Sequence, residues 1–400
     1  MEIKSLSSYI EYIETKDYAK NNEYISSGYI FRGEPYCFDK RVASAFRESE
    51  SIINSNSEKY FHNFNKKIEL YYEKISHTLN DIEKQNFTAF SQHHGLNTNL
   101  LDVTSSPLVS LFFACYRGNK EGKVYVFSNE YIDITEVLLE FSSQGITDQN
   151  ILGELCIGNI NDYNIKIYNK FYTALDMYTE KYLDKAEYKQ ENGTIYKIPK
   201  PSDTALSLVC IMYKYIKLLS GKDTEKETNL LNYDKLKNLD KCKQIEEIKR
   251  LHLELVNEPE IRRYRDIIPK KSMNEWTYII MDFLNYILIR MQITSLFFNK
   301  EIDFFPNLFP NLIYKPITTF LRARMQSGYF IYQPYMDFGD KSGLRPFELN
   351  PSIDEIHIKN TEEILKQLDY IGINLATIYG DYDNIAKYIK ENKKYEYEKL

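Results

Sequence analysis

No stretch of this 400-residue sequence reaches the roughly 18 uninterrupted apolar residues that a membrane-spanning helix requires. Its most apolar segment, Trp276 to Phe298, is broken by Asp282, Asn285 and Arg290 and is expected to be a core helix. No apolar leader follows Met1, because Glu2, Lys4 and Glu11 interrupt it, so a cytoplasmic protein is expected. Cysteine is sparse: Cys37, Cys115, Cys156, Cys210 and Cys242 are scattered without C-x-x-C spacing. That odd, unpatterned set excludes a disulfide framework and a zinc knuckle and predicts buried thiols. An excess of positive charge is also missing, with 51 Lys and Arg against 57 Asp and Glu and a net charge of −6. Binding of nucleic acid through a bulk positive field is therefore not favoured, and a small-molecule ligand or a protein partner is. Internal repeats and low-complexity linkers are absent.

Aromatic residues are plentiful, with 35 Tyr and 22 Phe. Beside so many Lys, Asn and Ile residues they are explained by A/T-rich codons rather than by a base-stacking surface. The densest polar chemistry lies in Phe90 to Ala114 (FSQHHGLNTNLLDVTSSPLVSLFFA). Gly95 permits a turn, Leu100 and Leu101 start a short apolar segment, and Asp102, Thr104 and Ser105 are turn formers and candidate N-caps. Pro107 opens a helix that is apolar on all faces, which puts the polar residues before it on a rigid base.

Earlier in the chain, Tyr29 to Phe31 is a β-prone run that ends at Arg32-Gly33. Arg32 is expected to project from the strand end, and Gly33 to let the backbone approach a ligand. Ser49 to His77 shows helical spacing, and Gly122 to Phe127 is a strand. Helices are expected over 162–189, 205–219, 230–256 and 273–298, with turns at Glu191-Asn192-Gly193 and at Ser220 to Asp223. A short basic segment over Thr318 to Met325 is followed by a turn at Gln326-Ser327-Gly328 and a strand over Tyr329 to Tyr332. Ile353 to Ile358 is a strand, Thr361 caps a helix over 361–368, and a last helix covers 382–390. The expected organisation is 1–128 and 307–400 as two parts of one domain, with 129–306 as a helical insertion.

Phe31-Arg32-Gly33, Gln92-His93-His94-Gly95-Leu96 running on to Leu100-Leu101-Asp102, then Thr104, Pro107 and Phe112-Phe113-Ala114, and finally Arg324-x-Gln326-x-Gly328-x-Phe330, resemble the FRG domain in their order. The likeness runs from about Tyr24 to Lys390. The chain departs from the usual pattern at Asn97, Asn99 and Val103, where the family tends to carry proline, arginine and tryptophan.

A second resemblance is to the arginine, serine/threonine and glutamate series of ADP-ribosyltransferases. It implies that Arg32 binds NAD phosphate or ribose oxygens, that Thr104 and Ser105 brace the site, and that Gln326 stands where a glutamate would stabilise an oxocarbenium-like centre. Glutamine carries no charge for that task.

Together these readings predict an α+β fold, ADP-ribosyltransferase-like, in which a small mixed sheet with flanking helices carries a large helical insertion. The expected catalytic residues are His93, Asp102 and Gln326. His93 is a candidate base by its ordinary pKa, and His93 and His94, about 100° apart on a helix, do not serve one site together. Arg32, Gly33, Gln92, Thr104, Ser105 and Arg324 are expected to bind the ligand. No metal site is predicted. NAD is the candidate substrate of an ADP-ribosyltransferase or NAD glycohydrolase acting in bacterial toxin or antiviral phage-defence systems. The alternative is a non-catalytic binding module whose insertion recognises a phage or host protein.

Overall fold

The computed structural model describes every residue except 1, 17, 19–27, 36–40, 48–50, 54–58, 118–119, 156–163, 192, 220–235, 237, 260, 263–264, 266–273, 294–305, 318–323, 340–342 and 392–400. The architecture is α+β. At its centre is an eight-stranded sheet in the spatial order Glu2–Ile3, Asp354–Lys359, Glu121–Phe127, Ile30–Glu34, Leu100–Thr104, Gly328–Tyr332, Asn311–Tyr314 and Tyr131–Asp133. Only the two outermost pairings are parallel, and the rest are antiparallel.

Side-chain alternation gives this sheet two apolar faces. Ile30, Leu101, Val103, Tyr125, Phe127, Ile313 and Ile331 share one cluster. On the other face Phe31, Val124, Val126, Ile356 and Ile358 pack with Val109, Leu111, Phe112 and Ala114 of the Pro107–Cys115 helix. That helix begins where Pro107 sets it, and its cap is Ser106, whose Oγ accepts from the Val109 amide at 3.3 Å. Asp102 and Thr104, expected as caps, lie in the strand before it.

Two glycines let the helix lie directly on the sheet. A Cβ on Gly33 would stand 1.8 Å from the Ser110 carbonyl oxygen, and one on Gly122 would stand 1.9 Å from that of Ala114. Any side chain at either position would push the helix off its two strands.

Several segments depart from the sequence reading. Among the described residues of 49–77 only Asn65–Ile75 is helical, and Ser51–Ile53 and Lys59–Phe61 are strands. These join Leu344–Pro346 and Tyr335–Asp337 in a four-stranded sheet, where Phe61, Phe64, Phe46 and Tyr335 form their own core. The Ile165–Tyr182 helix stops short of Lys189, and Ala186–Glu191 pairs with Thr194–Pro199 as a hairpin. Gly193, at φ +79°, supplies the left-handed turn residue that such a hairpin uses. Asn360, at φ 55°, takes the cap position before the Thr361–Tyr370 helix that was expected of Thr361.

Helices Ile165–Tyr182, Asp203–Leu219, Lys241–Leu255 and Glu275–Ile293 share one apolar core, and it runs on to Leu100, Leu312, Tyr314 and Tyr332 of the large sheet. Asp282 is tolerated inside this core because its Oδ2 meets His252 Nε2 at 2.7 Å and accepts from Arg265 Nη2 at 2.6 Å. Among the described residues, no helix is long and apolar enough to cross a membrane. Cys115 and Cys210 are buried, whereas Cys242 is exposed, contrary to expectation, at the start of an amphipathic helix between two lysines. Cys37, Cys156, the turn expected at 220–223, Asn192 of the Glu191–Gly193 turn and residues 318–323 of the basic segment lie outside the described residues.

Candidate functional site

Two central strands of the large sheet barely pair. Ile30–Glu34 and Leu100–Thr104 are neighbours, yet Phe31 and Thr104 are the only residues in register between them. Each strand is fully paired on its other edge, the first with Glu121–Phe127 and the second with Gly328–Tyr332. Continued antiparallel pairing would set Arg32 against Val103 and Gly33 against Asp102. The strands part there instead, and the sheet is split.

A cavity of about 210 Å³ opens at the split, lined by Phe31, Arg32, Gly33, Asp102, Val103, Thr104, Phe113 and Gln326. Its walls come from both sides of the sheet. Phe31 belongs to the face under the Pro107–Cys115 helix and Val103 to the opposite face.

Arg32 spans the gap. Its Nε donates to Glu34 Oε1 at 2.7 Å, and its Nη1 donates to the Asp102 backbone oxygen at 2.6 Å. The guanidinium thus takes the place of a missing ladder hydrogen bond and holds a cation at the cleft. Glu34, two residues on and therefore on the same strand face, is 4% exposed, and its Oε2 is buried without a hydrogen-bond partner among the described residues. Glu34 is not among the residues expected from sequence, although its i, i+2 spacing from Arg32 places both on one strand face.

Asp102 uses its carbonyl for Arg32, while the residue itself is exposed, and among the described residues it is the only acidic one lining the cleft. Thr104 and Gln326 act as braces. The Thr104 hydroxyl donates to the Gln326 backbone oxygen at 2.7 Å and accepts from the Ser106 amide at 3.0 Å. Gln326 Nε2 donates to the Ile378 carbonyl at 3.3 Å, which ties the turn to the C-terminal helices. Ser105 holds the same turn through its backbone, donating to Ser327 O at 3.2 Å. Burial pushes the Cys115 thiol, at the end of the adjacent helix, up to about 12, so it stays protonated.

Gly33 serves the helix contact as well as lining the cleft. Arg324 is exposed and is not among the lining residues. Gln92 accepts from the Thr98 hydroxyl, and the His94 ring lies 4.4 Å from Phe90 and 5.1 Å from His93. Neither Gln92 nor His93 lines the cavity, so the expected sharing of one cleft by His93 and Arg32 is not met. The reason is the intervening strand. The histidines precede its Leu100 end, the cleft lies at its Asp102–Thr104 end, and a strand advances about 3.3 Å per residue. Asn99 is also at the far end, buried, with its Nδ2 donating to the Gln333 carbonyl at 3.1 Å.

Residues 27–123 match the family model of the FRG domain, so the segment that carries Arg32, Asp102 and Thr104 is an FRG domain. No curated protein and no solved structure matches the chain.

Proposed function

We propose that the FRG domain and the turn at Gln326 form a cleft for a nucleotide-like ligand, with NAD as the candidate substrate, and that Asp102 supplies the negative charge that Gln326 lacks. The observation that carries this reading is the split strand pair, where Arg32, a cation tied to the Asp102 backbone, and Asp102, an exposed acidic residue, line one cavity. When the bond between nicotinamide and ribose breaks, the bonding electron pair leaves with nicotinamide and positive charge develops on the ribose. A carboxylate aimed at that carbon lowers the barrier, and an arginine binds the phosphates. Attack by water would make the protein an NAD glycohydrolase, and attack by a protein side chain would make it an ADP-ribosyltransferase. The likeness to the transferase series of arginine, hydroxyl turn and late polar residue supports the reading.

The test is NAD titration by calorimetry, with nicotinamide release followed in parallel, on wild type and Asp102→Asn. The expected result is release from wild type, a loss of roughly a hundredfold or more in the variant, and binding within a few fold. Absence of nicotinamide from wild type sinks the catalytic reading. A second reading, a non-catalytic binding module, is favoured by the engagement of both the Thr104 hydroxyl and the Gln326 carboxamide with backbone groups. In that case the cleft binds without turnover, and the 129–306 segment is the element proposed to recognise a phage or host protein.

A further inference from the structure

Arg32 also begins a row of side chains that leads away from the cleft on the sheet face opposite the Pro107–Cys115 helix. It stands opposite Tyr125 in register, and Tyr125 stands opposite Glu355. Three adjacent strands at about 4.8 Å spacing set the ends of this row roughly 10 Å apart. In the next row Lys123 lies between Glu34 and His357. Arg41 covers the first row, its guanidinium carbon 4.3 Å from the Tyr125 ring centroid, with Lys123 Nζ 5.4 Å from the same ring.

Both of these cations grip one carboxylate. Arg41 Nη1 donates to Glu355 Oε1 at 3.0 Å, and Lys123 Nζ donates to Glu355 Oε2 at 2.9 Å. Ser352 Oγ adds a third donor to Oε1 at 3.3 Å. The cations are the buried partners, with side chains 20% and 13% exposed, while the Glu355 side chain is 39% exposed. Both also have a partner besides Glu355 in the Tyr125 ring, and Lys123 projects from a strand paired on both edges. Two fixed cations that present donors to two oxygens of one anion have the geometry of a phosphate clamp. With Glu355 counted, three cations (Arg32, Arg41, Lys123) face two carboxylates (Glu34, Glu355). With its carboxylate displaced, three face one.

We infer that Arg41 and Lys123 form an anion subsite continuous with the cleft, filled here by the chain's own Glu355 carboxylate, and that this subsite takes a phosphate of the ligand whose other end lies between Arg32 and Asp102. The link to the cleft rests on the nucleotide reading above, whereas the subsite itself does not. Glu355 acts as an internal competitor that swings outward when a phosphate replaces it. The ligand class is a nucleotide whose phosphate lies within about 10 Å of the group held at the split.

The probe for the subsite alone is inorganic pyrophosphate, titrated calorimetrically at fixed ionic strength into wild type, Glu355→Gln, Glu355→Gln with Arg41→Gln, and Glu363→Gln. The last removes a carboxylate 58% exposed on the Thr361–Tyr370 helix and controls for net charge. Glu355→Gln is expected to bind about tenfold tighter than wild type, the double variant to lose that gain, and Glu363→Gln to match wild type. Thermal unfolding monitors the fold of each variant, and if the double variant does not fold, Glu355→Gln with Lys123→Gln carries the same test. A gain below about threefold in Glu355→Gln, an equal gain in Glu363→Gln, or a gain retained in the double variant overturns the subsite. Titrating NAD into the same proteins separates the two readings. Pyrophosphate binding without NAD binding keeps the subsite and sinks the NAD reading, and NAD binding indifferent to Glu355→Gln breaks the link between subsite and cleft.

Discussion

The Arg32 Nη1 atom donates to the Asp102 carbonyl oxygen across a gap in the sheet where a backbone amide would ordinarily stand. One side chain therefore serves both as an anion-binding group and as a structural tie between two strands. Lysine offers a single ammonium and cannot meet Glu34 and the Asp102 carbonyl from the same geometry. Arg32→Lys is expected to cost about 1 to 3 kcal/mol of stability in urea unfolding, besides weakening any anion held in the cleft. Unchanged stability would show that the bond to Asp102 is dispensable.

Gly33→Ala tests the packing beneath the cleft. Its Cβ would meet the Ser110 carbonyl at 1.8 Å, a backbone atom within a helix that cannot yield locally. The expected loss is about 3 kcal/mol or more, at the upper end of overpacking costs. Gly95→Ala is a useful contrast, because among the described residues nothing lies within 4 Å of its Cβ, which leaves the strain of φ +92°. A circular dichroism melt of each variant makes the comparison.

Gln326→Glu would restore a carboxylate where the transferase series carries one. Here it also replaces the Nε2 donor to the Ile378 carbonyl with an acceptor, setting two acceptors together. We expect a lower melting temperature, a stability loss of about 1 to 2 kcal/mol, and no increase in nicotinamide release. A rise in release at unchanged stability would mean that the carboxamide's role is chemical rather than structural.

Asp148 makes stability depend on pH. Burial, opposed by the Tyr335 hydrogen bond and reinforced by Asp337, Glu69 and Glu154, pushes its carboxyl from 3.8 up to about 6. A carboxyl raised in the folded state stabilises the fold fully below its unfolded value, and that contribution is lost as pH rises through about 6. Asp148→Asn keeps an Oδ1 acceptor for Asn65 Nδ2 and the Tyr335 hydroxyl without the buried charge. Relative to wild type, the variant should gain roughly 3 kcal/mol at pH 8 and show a flatter stability profile from about pH 4 to 7. Parallel profiles for the two proteins would show that Asp148 is not the group responsible.

The sequence by itself determined the local elements around the cleft. β-branched and aromatic residues before Arg32 and over Gly122 to Phe127 made strands, and Pro107 with a wholly apolar run behind it made a buried helix. The residue types that line the gap, Arg32, Asp102, Thr104 and Gln326, were visible as polar residues beside apolar runs. Periodicity reports only which face of its own element a residue occupies, so what lies beyond that face had to come from tertiary structure. The aromatic spacing in 49–77 fitted a helix, and pairing of Lys59–Phe61 with Leu344–Pro346 overrode it in part. His93 was expected to act with Asp102 as a catalytic residue, yet the extended Leu100–Thr104 strand carries the cleft away from the histidines. Only the register between strands decided that Ile30–Glu34 and Leu100–Thr104 meet at one residue pair and then diverge, and register depends on contacts from distant parts of the chain. The same long-range pairing set Glu355 beneath Arg41 and beside Lys123 across more than two hundred residues, an arrangement that no local pattern encodes.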